Sequence, residues 1–255
     1  MASKDSVSRT VMVALALCVV CSVVVSTAAV VLKDKQVANA ANEKKANILA
    51  AAGIEVVNGD LDAAFAKVTP KLVDMATGAY TEAADVNTYD DRKAAKDPAM
   101  STTLTADQDI ASIRRQANLR TIYLVEGDKG LEKVILPVHG YGLWSTLYGF
   151  IALEGDLNTV AGFGFYSHAE TPGLGGEVDN PRWKAVWNGK QVFGADATQP
   201  MIGLIKGKAT AESKHDIDGL AGATLTSNGV TNLVRFWMGK DGFAPFLANL
   251  KAGEA

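Results

Sequence analysis

Hydrophobic positions divide the chain into two regimes. Residues 11–32 are almost wholly apolar, and no charge occurs between Arg9 and Lys33. At about 1.5 Å per helical residue, such a run spans roughly the 30 Å hydrocarbon layer of a bilayer. The pattern therefore predicts a membrane-spanning helix over 11–32. Lys4 and Arg9 before it, and Ala38-Asn39-Ala40 after it, imitate the flanks of a cleaved signal peptide. The apolar core of such peptides holds only roughly 7 to 15 residues, so the length favours a retained anchor. Residues 33–52, rich in Ala, Asn and Lys, keep helical character and lead out of the span.

The remainder reads as strands over 121–125, 133–138, 147–153 and 160–168, with helices near 60–80, 105–118, 181–187 and 228–239. The polar stretch 85–105 reads as a surface excursion. Together these predict an α+β domain in which a twisted antiparallel sheet packs against helices. Glycines among the strand residues, as in Ala161-Gly162-Phe163-Gly164-Phe165, predict bulges or a close approach of backbone or ligand.

Charge narrows the choice of partners. The chain has 25 basic and 28 acidic residues, a net charge of −3, which gives no electrostatic case for nucleic acid. Flanking charge does not fix the topology, because lysines lie on both sides of the apolar run. Both cysteines, Cys18 and Cys21, fall inside that run and read as small packing residues, so the rest of the chain holds no disulfide or iron–sulfur cluster. His139, His168 and His215 lack metal-ligand spacing, and no metal is expected. Neither a Walker pattern nor a nucleophile elbow is present, and the Gly-rich runs do not complete a dinucleotide fingerprint. No catalytic residue and no NADH site are expected on this chain.

The candidate chemistry lies in three runs. Asp218-Gly219-Leu220-Ala221-Gly222-Ala223-Thr224 places a hydroxyl just ahead of a helix start, with Thr226, Ser227 and Asn228 as N-cap candidates. Unpaired N–H groups and the positive helix end there suit an anion, and Lys206 and Lys208 are available to neutralise it. Glu170-Thr171-Pro172-Gly173-Leu174-Gly175 is a side-chain-poor turn that suits the approach of a planar ring. Gly142-Leu143-Trp144-Ser145 sets a Trp beside a strand, where packing into the core is the ordinary reading.

The first two runs resemble the signatures of the FMN-binding domain family, in which a flavin transferase joins FMN through its phosphate to the last Thr. Ala221 stands where the family has Ser or Thr. The stretch from Gly140 to Phe150 is similar to the C subunits of sodium-pumping NADH:quinone reductases. The resemblance implies FMN attached covalently to Thr224. It also implies Asp218, Gly222, Ala223, Glu170, Thr171, Gly173, Leu174, Gly175, Trp144 and Ser145 as cofactor-binding residues. Further implications are partnership with the other subunits of a six-subunit reductase, electron transfer towards quinone coupled to sodium export, and a single pass through the bacterial inner membrane. Residues 1–10 would be cytoplasmic and 33–255 periplasmic, with the FMN-binding part at about 120–240. The flavoprotein subunit of an Rnf-type ferredoxin:NAD complex and an exported flavin-carrying sensor module are the alternatives.

Overall fold

The computed structural model describes residues 6–128, 130–195 and 199–255, so Lys4 and half of the 1–10 segment lie outside the described residues. Helix α1 (Val7–Ala52) takes in both the apolar run and the Ala/Asn/Lys-rich segment after it. The chain divides into two units, Met1–Lys44 and Lys45–Ala255. In the first, the apolar side chains are exposed throughout, and α1 is long and apolar enough to cross a membrane. Exposed valines and leucines on every face of a helix belong in lipid rather than in water.

The second unit is built on a six-stranded antiparallel sheet. Its strands are β1 (Val68–Asp74), β2 (Ala79–Tyr80), β5 (Leu119–Gly127), β6 (Gly130–Tyr141), β7 (Thr146–Glu154) and β8 (Val160–Ser167), in the order β2-β1-β5-β6-β7-β8. The ribbons β3 (Ser101–Thr103)–β4 (Arg115–Ala117) and β9 (Gly203–Leu204)–β10 (Asp216–Ile217) stand apart from it. Around these lie α2 (Leu61–Phe65), α3 (Asp91–Ala94), α4 (Pro181–Ala185), α5 (Thr224–Met238) and α6 (Ala244–Ala252).

Period-two alternation gives the sheet two apolar faces. Ile122, Leu124, Val134, Leu136, Ile151 and Leu153 pack with Val230, Leu233 and Val234 of α5. Their neighbours Tyr123, Val125, Ile135, Phe150 and Ala152 pack with Ile48, Leu49, Ala51 and Ala52 of α1. The result is three layers, helix on sheet on helix. The strand glycines behave as expected. The β7–β8 register shifts at Tyr148/Gly149 and Ala152/Leu153, and a Cβ on Gly162 would lie 2.3 Å from the Ala51 carbonyl oxygen.

One expected helix is cut short and another is absent. Within 60–80 only Leu61–Phe65 is helical, and the rest forms β1 and β2. β-Branched Val68, Thr69 and Val73 favour the strand, and Pro70 is tolerated because β2 pairs only with Val73 and Asp74. Within 105–118, the Asp109 carboxylate accepts the Ile113 and Arg114 N–H groups at 2.7 and 2.8 Å, and Ser112 and Arg114 have positive φ. That turn ends any helix before β4. The stretch 85–105 is also more than a surface excursion, since it holds α3 and β3 and buries Asp91 and Ala94.

Helix α5 lies against the sheet so closely that Gly229 has no room for a side chain, its Cβ position being 2.4 Å from the Tyr141 carbonyl oxygen. In an open helix interior Gly→Ala stabilises by about 0.5–1 kcal/mol. Here the sign reverses. Gly229→Ala is expected to lower stability by about 1–3 kcal/mol through overpacking, read as a lower thermal unfolding midpoint.

Candidate functional site

Helix α5 starts at Thr224, four residues earlier than the expected 228. Thr226, Ser227 and Asn228 are therefore not N-caps; they occupy the first turns. The capping position is Ala223, whose side chain cannot bond the first N–H groups, so these face outward for another acceptor. Gly222 precedes it with φ +71°, a left-handed conformation that glycine adopts freely.

The hydroxyls of the first turn differ in engagement. Thr226 is buried and donates to Glu170 Oε2 at 2.8 Å. Ser227 is buried and accepts the Leu220 N–H at 3.1 Å. Thr224 is exposed, and among the described residues its hydroxyl makes no hydrogen bond. It opens on a cleft of about 690 Å³, a size ordinary for a small-ligand site.

Arg182, Lys206 and Lys208 line that cleft with Trp183, Asp218 and Gly222. Asp218 acts as a brace. Its carboxylate accepts the Ala209 N–H at 2.8 Å, its carbonyl accepts the Trp183 indole N–H at 2.9 Å, and the Gly219 N–H donates to Gly207 at 2.8 Å. These bonds fix the Lys206–Lys208 loop and α4 around the cleft. The Arg182 and Trp183 contribution was not among the expected site residues. Its signal is Asn180-Pro181, a helix start in which the Asn180 side chain accepts the Arg182 N–H at 3.0 Å.

The Glu170–Gly175 run and the Trp144–Ser145 run are not among the cleft's lining residues; they form a wall joined to it. Glu170 is 5% exposed. Its carboxylate accepts the N–H groups of Leu143, Trp144 and Ser145 at 3.0–3.3 Å together with the Thr226 hydroxyl. The Ser145 hydroxyl in turn accepts the Ala169 N–H at 2.7 Å. Thr171 closes the next turn by accepting the Leu174 and Gly176 N–H groups, with Gly173 at φ +75°. Gly175 must be glycine, because a Cβ there would lie 2.6 Å from the Thr226 hydroxyl and 2.8 Å from Glu170. Leu174, 44% exposed, meets the other motif: its Cδ2 lies 3.0 Å from where a Cβ on Gly222 would be. Trp144 is 65% exposed, and Leu225, next to Thr224 in α5, is 59% exposed.

Burial pushes the Glu170 carboxyl up, but hydrogen bonds from Trp144, Thr226, Ser145 and Leu143 outweigh it and hold the acid below its ordinary value. A carboxylate with a depressed folded-state value contributes fully above the unfolded value and loses that contribution as pH falls through the folded one. Glu170→Gln is expected to cost about 1–3 kcal/mol at neutral pH, because one acceptor oxygen is replaced by a donor among buried N–H groups. Thermal unfolding checks this. The gap between variant and wild type should narrow as pH drops below the ordinary value of 4.5.

A family model described as an FMN-binding domain matches residues 142–239. The C subunit of the Na(+)-translocating NADH-quinone reductase of Pseudomonas aeruginosa is 55% identical over 100% of both chains. That of Vibrio vulnificus is 50% identical over 99% of each.

The chain belongs to the family of C subunits of Na(+)-translocating NADH-quinone reductases.

The crystal structure of Shewanella oneidensis NqrC superposes with a TM-score of 0.77 at 38% identity, covering 82% of this chain and 97% of that one. Residues 142–239 form the FMN-binding domain of this family member, and the donor chemistry of the cleft fits FMN. It offers uncapped helix N–H groups and three cations for a phosphate, while exposed Leu174, Trp144 and Leu225, outside its lining, supply apolar surface for a ring.

Proposed function

We propose that this chain is the covalently flavinylated electron carrier of a multi-subunit, membrane-bound Na(+)-translocating NADH-quinone reductase. The Thr224 hydroxyl carries the flavin through a phosphoester. The observation that carries the reading is the contrast within one helical turn, where Thr226 and Ser227 are buried and engaged while Thr224 is exposed and free.

The residues divide the work. The first N–H groups of α5 and the Arg182, Lys206 and Lys208 side chains hold the phosphate. A phosphodiester keeps one negative charge, which the helix end favours by roughly 0.3–1 kcal/mol. This orients the group, and the ester retains it. Gly222 and Gly173 permit the backbone turns, while Leu174 and Trp144 cover the ring and limit water at its face. Asp218 and Glu170 act as braces for the lysine loop and for the 143–145 segment. When bound, FMN supplies reversible one- and two-electron chemistry.

Helix α1 is proposed as a retained anchor through the bacterial inner membrane, with residues 1–10 cytoplasmic and 33–255 periplasmic, and the FMN-binding part within about 120–240. The remaining partners of this reading are the other subunits of a six-subunit assembly and a flavin transferase. Two measurements test it on protein made with that transferase. Intact mass should show one added FMN, and external protease should reach the domain in spheroplasts. A chain of unmodified mass, or one shielded from protease, contradicts the corresponding half.

A further inference from the structure

A second cleft, of about 580 Å³, lies between α3, the 112–115 turn and the adjoining ends of β6 and β7. Its charge is one-sided. Arg92, Lys96, Arg114 and Arg115 line it, against Asp91 and Asp109. Both acids are already engaged, Asp91 in a 3.5 Å ion pair with buried Arg120 and Asp109 by the Ile113 and Arg114 N–H groups. Arg115 is spent on the Ser101 hydroxyl and carbonyl at 2.8 and 2.7 Å. Arg92, Lys96 and Arg114 are exposed and have no carboxylate within ion-pair reach among the described residues. In a chain of net charge −3 this is a local concentration of cations.

The inner wall adds a second, independent observation. His139 lines the cleft and is only 8% exposed, yet its ring makes no hydrogen bond among the described residues. It is held flat by Tyr148, stacked at 5.4 Å, and by Trp237 at 5.0 Å, while the Arg92 guanidinium covers Tyr148 at 3.8 Å. Burial, then Arg120 and Arg92, keep the imidazole well below its ordinary value. It is therefore neutral, with one N–H to donate. A buried donor beside uncompensated cations fits a carboxylate oxygen.

We propose that this cleft receives the carboxylate side chains of an acidic segment from a partner subunit, an inference that rests on the multi-subunit reading above. One carboxylate enters towards His139 and Arg92, and further acids meet Lys96 and Arg114 at the rim. The spread of free cations over α3 and the 112–115 turn suits an extended acidic segment better than a single small anion. Tyr141 and Thr146 line the cleft, and three of the residues between them, Leu143, Trp144 and Ser145, are those that Glu170 braces beside the proposed flavin site. A partner docked here abuts the segment that frames the cofactor, which is where an electron carrier has to meet its redox partner.

The test uses the full chain co-produced with its partner subunits. The double reversal Arg92→Glu with Lys96→Glu is expected to lower the recovery of partner subunits, and NADH:quinone activity with it, about tenfold or more. Covalent flavin per chain should stay unchanged. Wild-type recovery and activity in this variant overturn the proposal. Should the double reversal lower flavin loading as well, a benzoylphenylalanine at position 96 decides. A photo-crosslink to an acidic segment of a partner subunit upholds the proposal, and a crosslink to lipid or to nothing overturns it. Absence of covalent flavin from the wild-type chain would count against the flavin reading alone, because the recovery assay does not depend on it.

Discussion

Thr224→Val should abolish the flavin fluorescence of the chain on a denaturing gel. The hydroxyl is the only atom of Thr224 that can form the phosphoester, and valine keeps the β-branched shape. Because the side chain is exposed at the first residue of α5, the replacement should change stability by no more than about 0.5 kcal/mol. Loss of signal from an unfolded protein can thus be told apart by thermal unfolding. Thr226→Val and Ser227→Ala form the control. Each breaks a buried hydrogen bond, to Glu170 or from Leu220, and should lower stability by about 1–3 kcal/mol while leaving fluorescence in place. Fluorescence that persists in Thr224→Val, or vanishes only in Ser227→Ala, would move the attachment point.

The second large effect concerns NADH. The purified chain with its flavin, free of partner subunits, should be reducible by a chemical reductant. It should react with NADH roughly a thousandfold or more slowly than the assembled complex does. Hydride transfer needs the nicotinamide held in near-attack geometry, and such positioning accounts for about 7–11 kcal/mol in well-oriented reactions. No Gly-rich dinucleotide fingerprint occurs in the sequence, and the cleft at Thr224 is lined by Arg182, Lys206 and Lys208 around the phosphate of the proposed attached flavin. Rapid bleaching by NADH, in a sample shown by mass spectrometry to contain this chain alone, would instead indicate a self-contained dehydrogenase.

The sheet from β5 to β8 was legible because its strands are long and its side chains are sorted by face. Each expected strand there lies within an observed one apart from a residue at the end of β8, and the main error is that the strands extend beyond the expected ends. Two of the failures share a cause: a partner distant in sequence sets the element. Residues 68–74 fall in the stretch expected to be helical, but they pair with Leu119–Val125 in register. The four-residue helix α3 is too short for periodicity to reveal, and the ion pair of Asp91 with Arg120 fixes its place.

At the candidate site, the motif residues were visible through family resemblance, while their division of labour was not. Glu170 and Thr226 meet across 56 positions, and Trp183 meets Asp218 across 35. Nothing in either local sequence discloses that one acid braces the 143–145 segment and the other a lysine loop. The free state of Thr224 also depends on where α5 begins, and the polar cluster at 226–228 obscured that boundary.

The hydrogen bonds of Thr226 and Ser227 bear on the order of maturation. An attachment enzyme that meets the unstructured chain finds three hydroxyls within four residues, chemically alike and equally accessible. The same enzyme meeting the folded domain finds one, since Glu170 has claimed the second and Leu220 the third. Selectivity for a single threonine then follows from folding before loading. Each correctly flavinylated molecule would carry, in the position of its cofactor, a record that its domain had already closed.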